Sequence, residues 1–268
     1  MIAGLSGMSR DGRRLSAKLF LLKEMVVRDI RSRYAGSGLG LAWVFVNPIL
    51  WMLLYTAVFS VILRVPVERG FASFPEFLMA GLLPWMAIQE GISRSASALP
   101  DNAVMVKKAV FPIETLVASV VVAALFNQLI AFLVFGAYVL WVGHLSPWIL
   151  LAVPALAVQA LLTYGIGCLA ATVTVFVRDA GHAIGILLSV VFFATPIVYP
   201  ASMVPARFRP ILEANPVAHL VAWYRDAFTL HVWPEPASVL YLLLFSSLAA
   251  LLGSALFARA RPHFADLI

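Results

Sequence analysis

Trp43, Asn47, Trp51, Tyr55 and Phe59 follow one another at steps of four residues inside an uncharged run. On a helix such steps advance slightly more than one turn, so the five side chains form a stripe that drifts slowly round one side. Aromatic faces stack on the C–H faces of sugar rings, and an amide adds a donor and an acceptor, so the stripe suits a carbohydrate. Helix packing and the aromatic belt of a membrane boundary use the same residue types. Both readings stand, for this stripe and for Trp85, Phe192, Phe193 and Tyr199 further along.

Other chemistry is sparse. Glu90 and Arg94 lie four apart in an apolar run, where they share a helix face and can pair, as lining of an inner vestibule or as a structural pair. His144, His182, His219, His231 and His263 are scattered so that no two share a helical turn, and each reads as an isolated interfacial group. No catalytic, cofactor or metal site is expected. Acids and histidines are not clustered, and no G-x-x-x-x-G-K loop is present to bind nucleotide. Cys168, the single cysteine, reads as a small buried residue. Gly165, Gly167, Ala170 and Ala171 read as helix-packing positions. Arg225 and Asp226, beside Trp223 and Tyr224, could clamp an anionic lipid headgroup or anchor a short helix to the interface.

The elements that position these residues follow from hydropathy. With 62% hydrophobic and 12% charged residues among 268, and mean hydropathy +0.96, the chain has the profile of a polytopic membrane protein. The excess of Lys and Arg sits beside apolar runs, which points to topology and anionic headgroups of membrane lipid and away from nucleic acid. Charge-poor runs of spanning length cover roughly 40–63, 77–99, 115–142, 150–177, 183–200 and 237–258. The fifth, broken by Thr195-Pro196 and Tyr199-Pro200, predicts a short span that turns near its outer end. The expected fold class is therefore all-α, with six transmembrane helices in one domain over residues 1–268. Within it, residues 1–15 are expected to be mobile and to remain on the chain, 16–35 to form an amphipathic interface helix, 40–258 to hold the spans and 259–268 to form a tail. The glycines between the interface helix and the first span, Gly36 to Gly40, permit a bend.

Six spans put both termini on one side. That side collects thirteen Lys and Arg residues, namely Arg10, Arg13, Arg14, Lys18, Lys23, Arg28, Arg31, Arg33, Lys107, Lys108, Arg178, Arg259 and Arg261. The other collects five, Arg64, Arg69, Arg207, Arg209 and Arg225, so the termini are expected to be cytoplasmic. Between the second and third spans, SALPDNAVMVKKAVFPIE has a start signal at Pro100-Asp101-Asn102 and a stop at Phe111-Pro112, predicting a short helix open to a cytoplasmic partner. Residues 203–214 and 217–229, parted by Asn215-Pro216, predict two short external helices dipping into the outer interface. No internal repeat is evident, which weakens an inverted-repeat secondary transporter.

RDIRSRYAGSGLGLAWVFVNP, FLMAGLLPWMAIQEGISRSASALPDNAVMVKKAVFPIE, VRDAGHAIGILLSVVFFATPIVYP, NPVAHLVAWYRDAF and the terminal FADLI together resemble one family. It comprises the membrane subunits of ABC exporters of O-antigen polysaccharide, teichoic acid and related glycans, in the type-2 ABC permease superfamily. The resemblance implies a homodimer, bound to two copies of a separate nucleotide-binding ATPase that holds ATP and Mg, exporting a glycan on an undecaprenyl-type lipid across the bacterial inner membrane. It implies ATPase contact through Arg28 and Arg31 of the interface helix and Asp101, Asn102, Lys107 and Lys108 of the 101–110 helix. By the same resemblance Arg207, Asn215, Pro216, Tyr224 and Arg225 belong to an external gate. Trp43, Asn47, Trp51, Tyr55, Phe59, Trp85, Phe192 and Tyr199 would line the substrate channel. The alternatives are a permease for a smaller lipid or drug, a lipid-modifying membrane enzyme, which the scarcity of intramembrane acids disfavours, and a secondary transporter. A cysteine placed at Arg28 is expected to resist a membrane-impermeant thiol reagent applied to intact cells; labelling there would reverse the topology.

Overall fold

The structure, a computed structural model, describes residues 10–34, 37–65, 71, 73–108 and 112–268, with the side chains of 10–15, 33, 34, 41 and 108 excepted. Among them every regular element is helical. Of the expected mobile segment 1–15, residues 1–9 lie outside the described residues and 10–15 belong to the first helix; Gly36 of the expected bend and the end of the 101–110 helix also lie outside the described residues.

Helix α1, Arg10–Tyr34, begins six residues earlier than the sequence pattern predicts. It packs along the Glu114–Trp141 helix and buries Met25, while Leu19 and Phe20 stay exposed. The chain then turns at Gly38 and Gly40. Gly40 has φ +50°, a left-handed conformation that costs a side-chain-bearing residue more than it costs glycine. Its N–H is held by the carbonyl (3.1 Å) and the hydroxyl (3.0 Å) of Ser37. Helix α2, Trp43–Thr56, follows and ends in a wider π turn over Ala57–Ile62.

Helix α3, Phe74–Ser97, is the most enclosed element, packed by α2, α5 (Glu114–Trp141), α6 (Ala152–Phe176), α7 (Ala180–Ala194) and α9 (Pro216–Arg225). Its start is capped by Ser73, whose Oγ accepts from Glu76 N–H at 3.4 Å and donates to Glu76 Oε1 at 3.0 Å. His144 Nδ1 lies 2.9 Å from the same oxygen, and His219 bonds Ser238 and the Glu213 carbonyl. These two histidines are therefore tied to the fold, where the sequence pattern leaves them isolated.

Among the described residues, four stretches are long and apolar enough to cross a membrane: Trp43–Ile62, Glu114–Trp141, Pro147–Phe176 and Pro236–Leu267. Helix α3 is too polar on average for that class, and α7 is only 15 residues long because Thr195 turns extended before Pro196. The 203–214 segment is not one helix. Pro205 and Pro210 lack the N–H that continues a ladder, so it divides into turns and a five-residue helix α8, Arg209–Glu213. The expected helix at 217–229 is present as α9 with a π turn over Asp226–Leu230.

Two apolar clusters result. The larger surrounds α3; the smaller joins Met25, Leu99, Val106 of α4 (Ala103–Lys108), Leu116, Cys168, Phe257 of α10 (Pro236–Ala260) and Phe264 of α11 (Phe264–Leu267). It brings α1 and the C-terminal residues to one end of the bundle. The terminal residues fold back there, with Phe264 edge-on to Phe257 at 5.1 Å and Arg261 Nη1 donating to Glu114 Oε1 at 2.9 Å.

Helices α6 and α10 touch backbone to backbone. A Cβ on Gly253 would lie 2.1 Å from the Gly165 carbonyl oxygen, and one on Gly165 would lie 2.4 Å from the Ala249 carbonyl carbon. Small residues let two spans approach so closely. Gly253→Val is expected to cost about 1–3 kcal/mol or more through overpacking, read as a lower unfolding temperature of the detergent-solubilised protein, whereas Gly136→Ala, with open space round its Cβ, should change little.

Candidate functional site

Trp51 and Tyr55 of α2, Leu82, Trp85, Met86 and Gln89 of α3 and Ser189, Phe192 and Phe193 of α7 line one cleft of about 300 Å³. Three helices that are apolar by composition thus converge their aromatic rings. Trp51 and Tyr55 lie 5.5 Å apart, and Trp85 and Phe192 5.7 Å apart. Trp85 is 2% exposed, so it offers an edge, while Phe193 is 67% exposed. Gln89 supplies an exposed amide, and the Ser189 hydroxyl, bonded to the Gly185 carbonyl, remains an acceptor. Apolar walls with a few polar groups are the usual make-up of a small-ligand cleft.

The stripe is not brought to this cleft as a whole. Phe59 stacks between Tyr55 (5.9 Å) and Phe74 (6.4 Å) and continues into the core. Asn47 lines a neighbouring cleft of about 90 Å³ with Trp51, Glu90, Asn127 and Gln128. Trp43 is half-buried and lines neither cleft. Tyr199 donates to the Phe193 carbonyl at 2.6 Å and faces a separate cavity of about 350 Å³ with Met203, Phe208 and Ile211.

Behind the two clefts sits a buried polar knot that sequence patterns alone leave unseen. Gln128 and Gln159 exchange amide hydrogen bonds at 3.0 and 2.7 Å, Gln159 Nε2 also donates to the Pro84 carbonyl at 3.1 Å, and the Tyr224 hydroxyl donates to Gln159 Oε1 at 2.7 Å. Isolated amides in apolar helices were the only available signal for it. Buried polar groups demand partners, and here α3, α5, α6 and α9 supply them to one another.

Where α1 and α4 meet the end of α3, a polar cleft of about 230 Å³ is lined by Arg28, Asp29, Arg94, Asp101 and Asn102 among others. Arg28 donates to Asn102 Oδ1 at 3.1 Å and reaches Met105 Sδ at 3.7 Å. Arg94 grips both oxygens of Asp29, a partner 65 residues away, and stands 3.6 Å from Glu90. Arg31, Asp101 and Lys107 are exposed nearby, and the Lys108 side chain lies outside the described residues.

At the opposite end Asn215 caps α9, accepting from Val217 N–H at 3.0 Å and donating to Thr195 Oγ1 at 2.8 Å, with Pro216 at the first helical position. Arg207 is exposed, its guanidinium 4.7 Å over the Phe208 ring. Tyr224 is fully buried, and Arg225 is 6% exposed. Arg225 donates to the carbonyls of Phe77 (3.3 Å), Pro196 (2.8 Å) and Ile197 (2.9 Å), with its charge 3.8 Å above the Phe77 ring. Neither the headgroup clamp nor the interfacial anchor describes it. The chain turns at Thr195-Pro196, leaving carbonyls without helical partners, and a guanidinium is the side chain with enough donors to satisfy them.

Residues 21–229 match the ABC-2 type transporter family, and the chain belongs to it. It is 32% identical over 257 residues to the O-antigen export system permease protein RfbA of Myxococcus xanthus, covering 92% of this chain and 95% of that protein. It is 29% identical over 253 residues to the O-antigen export system permease protein RfbA of Klebsiella pneumoniae, with 92% and 95% covered. It is also 24% identical over 255 residues to the polysialic acid transport protein KpsM of Escherichia coli, with 93% and 96% covered. The apolar helices and the family together make it an integral membrane protein and a transport component.

The polar knot separates two substitutions. Tyr224→Phe leaves Gln159 Oε1 bonded to Gln128 and should cost about 0.5–1.5 kcal/mol, whereas Gln159→Leu removes the shared centre of the knot, leaves Gln128 and Tyr224 only their long 3.4 Å contact with each other, and should cost more, about 1–3 kcal/mol. Thermal inactivation in detergent is expected to rank them in that order.

Proposed function

We propose, with membership of the ABC-2 type transporter family as the premise, that this chain is the membrane subunit of an ATP-driven exporter moving a lipid-linked polysaccharide across the bacterial inner membrane. The named functions of the relatives, O-antigen export and polysialic acid transport, support the cargo class. The observation that carries the reading on this chain is the cleft where Trp51, Tyr55, Trp85 and Phe192 converge beside Gln89. Rings stack on successive sugars of any identity, and a cleft of this kind tolerates a polymer of repeating units that passes without being bound tightly.

In this reading α2, α3, α5, α6, α7 and α10 are the six spans. Helix α3 crosses despite Glu90 and Arg94 because its neighbours enclose it. Helices α8 and α9 form the external re-entrant pair, with Arg207, Asn215 and Pro216 at the gate. Tyr224 and Arg225 act there as its internal fastening. The end that holds α1 and α11 faces the cytoplasm in this reading, which the excess of Lys and Arg there supports. Two copies build the path between them, and the cargo rides on an undecaprenyl-type carrier. A separate ATPase, also in two copies, binds ATP and Mg and meets Arg28, Arg31, Asp101, Asn102, Lys107 and Lys108.

Co-expression with the neighbouring ATPase tests both halves. Lys107→Glu with Lys108→Glu should weaken co-purification of the ATPase while the chain stays in the membrane. Trp51→Ala with Tyr55→Ala should leave assembly intact and lower surface polysaccharide by about tenfold, since each ring contact is worth about 0.5–1.5 kcal/mol. Full surface polysaccharide in the second variant would return the rings to packing, and unchanged co-purification in the first would remove the two lysines from the contact.

A further inference from the structure

Arg94 stands between two clefts that the proposed function assigns to different tasks. On one side is the polar cleft of α1 and α4, where Arg94 Nη1 donates to Asp29 Oδ2 at 2.9 Å and Nη2 donates to Asp29 Oδ1. On the other side the same Nη1 lies 3.6 Å from Glu90 Oε1, and Glu90 lines the cleft that holds Asn47 and Trp51. Glu90 Oε2 accepts from Asn127 Nδ2 at 3.5 Å, a long bond at the limit of useful geometry.

We propose that Arg94 is a positioning residue that transmits displacement of α1 and α4 to the cleft beside Trp51, by dividing its charge between Asp29 and Glu90. The inference rests on the reading of α1 and α4 as the ATPase-facing elements. Arg28 and Asp29 are adjacent in α1, and Arg28 is bonded to Asn102 and Met105 at the start of α4. A shift of α4 that draws on Arg28 therefore draws on Asp29. Arg94 is about one-third exposed, and a guanidinium so placed keeps a carboxylate partner if one is within reach. As Asp29 withdraws, Glu90 remains within ion-pair distance on the preceding turn of the same helix. Glu90 swinging towards Arg94 stretches its long bond to Asn127 and alters the polar wall beside Asn47 and Trp51. The element is bistable because one cation has two acceptors on different helices, and α1 decides which dominates.

The experiment uses the full chain co-expressed with its ATPase, reading co-purification, thermal stability, ATP hydrolysis and surface polysaccharide together. Glu90→Gln keeps the shape of the side chain and leaves the Asp29–Arg94 pair intact. It is expected to preserve assembly, stability and hydrolysis while lowering polysaccharide exported per ATP hydrolysed by about 5-fold or more. The charge swap Asp29→Arg with Arg94→Asp should restore assembly relative to Asp29→Arg alone, yet not restore export, because the new aspartate faces Glu90. Parent-level export per ATP in Glu90→Gln, or export restored to the parent level by the swap, would overturn the proposal and leave a structural latch. Loss of stability in Glu90→Gln in proportion to export would overturn it too, by making Glu90 a folding residue. Failure of the parent chain to bind the ATPase or to export polysaccharide would instead overturn the function reading and this inference with it.

Discussion

Hydrocarbon offers no hydrogen bonds, so a helix carrying two carboxylates, a guanidinium and a proline has to be surrounded by protein. Helix α3 is that helix, with Glu76, Pro84, Glu90 and Arg94 along its length. Several of the surrounding elements give it polar partners: His144 to Glu76, Gln159 to the Pro84 carbonyl, Asn127 to Glu90 and Asp29 to Arg94. The same enclosure buries Phe77, Leu78, Met79 and Leu82, which supply the apolar packing round the polar contacts. The order of the bundle follows from these demands. Helices with polar side chains at matching depths lie next to α3, and purely apolar faces, such as Leu53 and Leu54 of α2 or Leu244 and Leu251 of α10, point outwards.

That arrangement also explains why the clefts lie where they do. Helices α2 and α7 are predominantly apolar, carry few interhelical hydrogen bonds among the described residues and are largely exposed, so they border α3 without sealing against it. The aromatic cleft and the Asn47–Glu90 cleft occupy those loose seams. Helices α6 and α10, locked backbone to backbone at Gly165 and Gly253, form the rigid side. A transport path is better placed beside elements that can move than inside the tightest contact, and Glu90, an ion-pair partner of Arg94, lines one of those seams.

Small local patterns were legible in the residues. Asn215-Pro216 parts two external segments, and Thr195-Pro196 announces the early end of α7; each rests on contacts within a few residues. The small-residue positions in α6 are legible for the same reason, although their partner Gly253 is not. Arg94 looked like half of a local pair with Glu90, and its closer partner proved to be Asp29, 65 residues earlier on another helix. Arg225 looked external because it follows an external segment, yet it reaches carbonyls 28 and 29 residues back that exist only because α7 stops short.

By itself, the order of residues determined the membrane class and most of the helical elements, though not the division of 203–214 into turns and a short helix, because hydropathy, proline and capping act along a few turns of one chain. It also determined the family, through stretches spread over most of the length. Which rings share a cleft, which of the stripe residues leave it for the core, and which carboxylate holds Arg94 were decided by tertiary structure. Those choices depend on the rotation of each helix about its axis and its depth against its neighbours. Both are fixed by satisfying α3 on all sides at once, a condition that no single stretch of sequence carries.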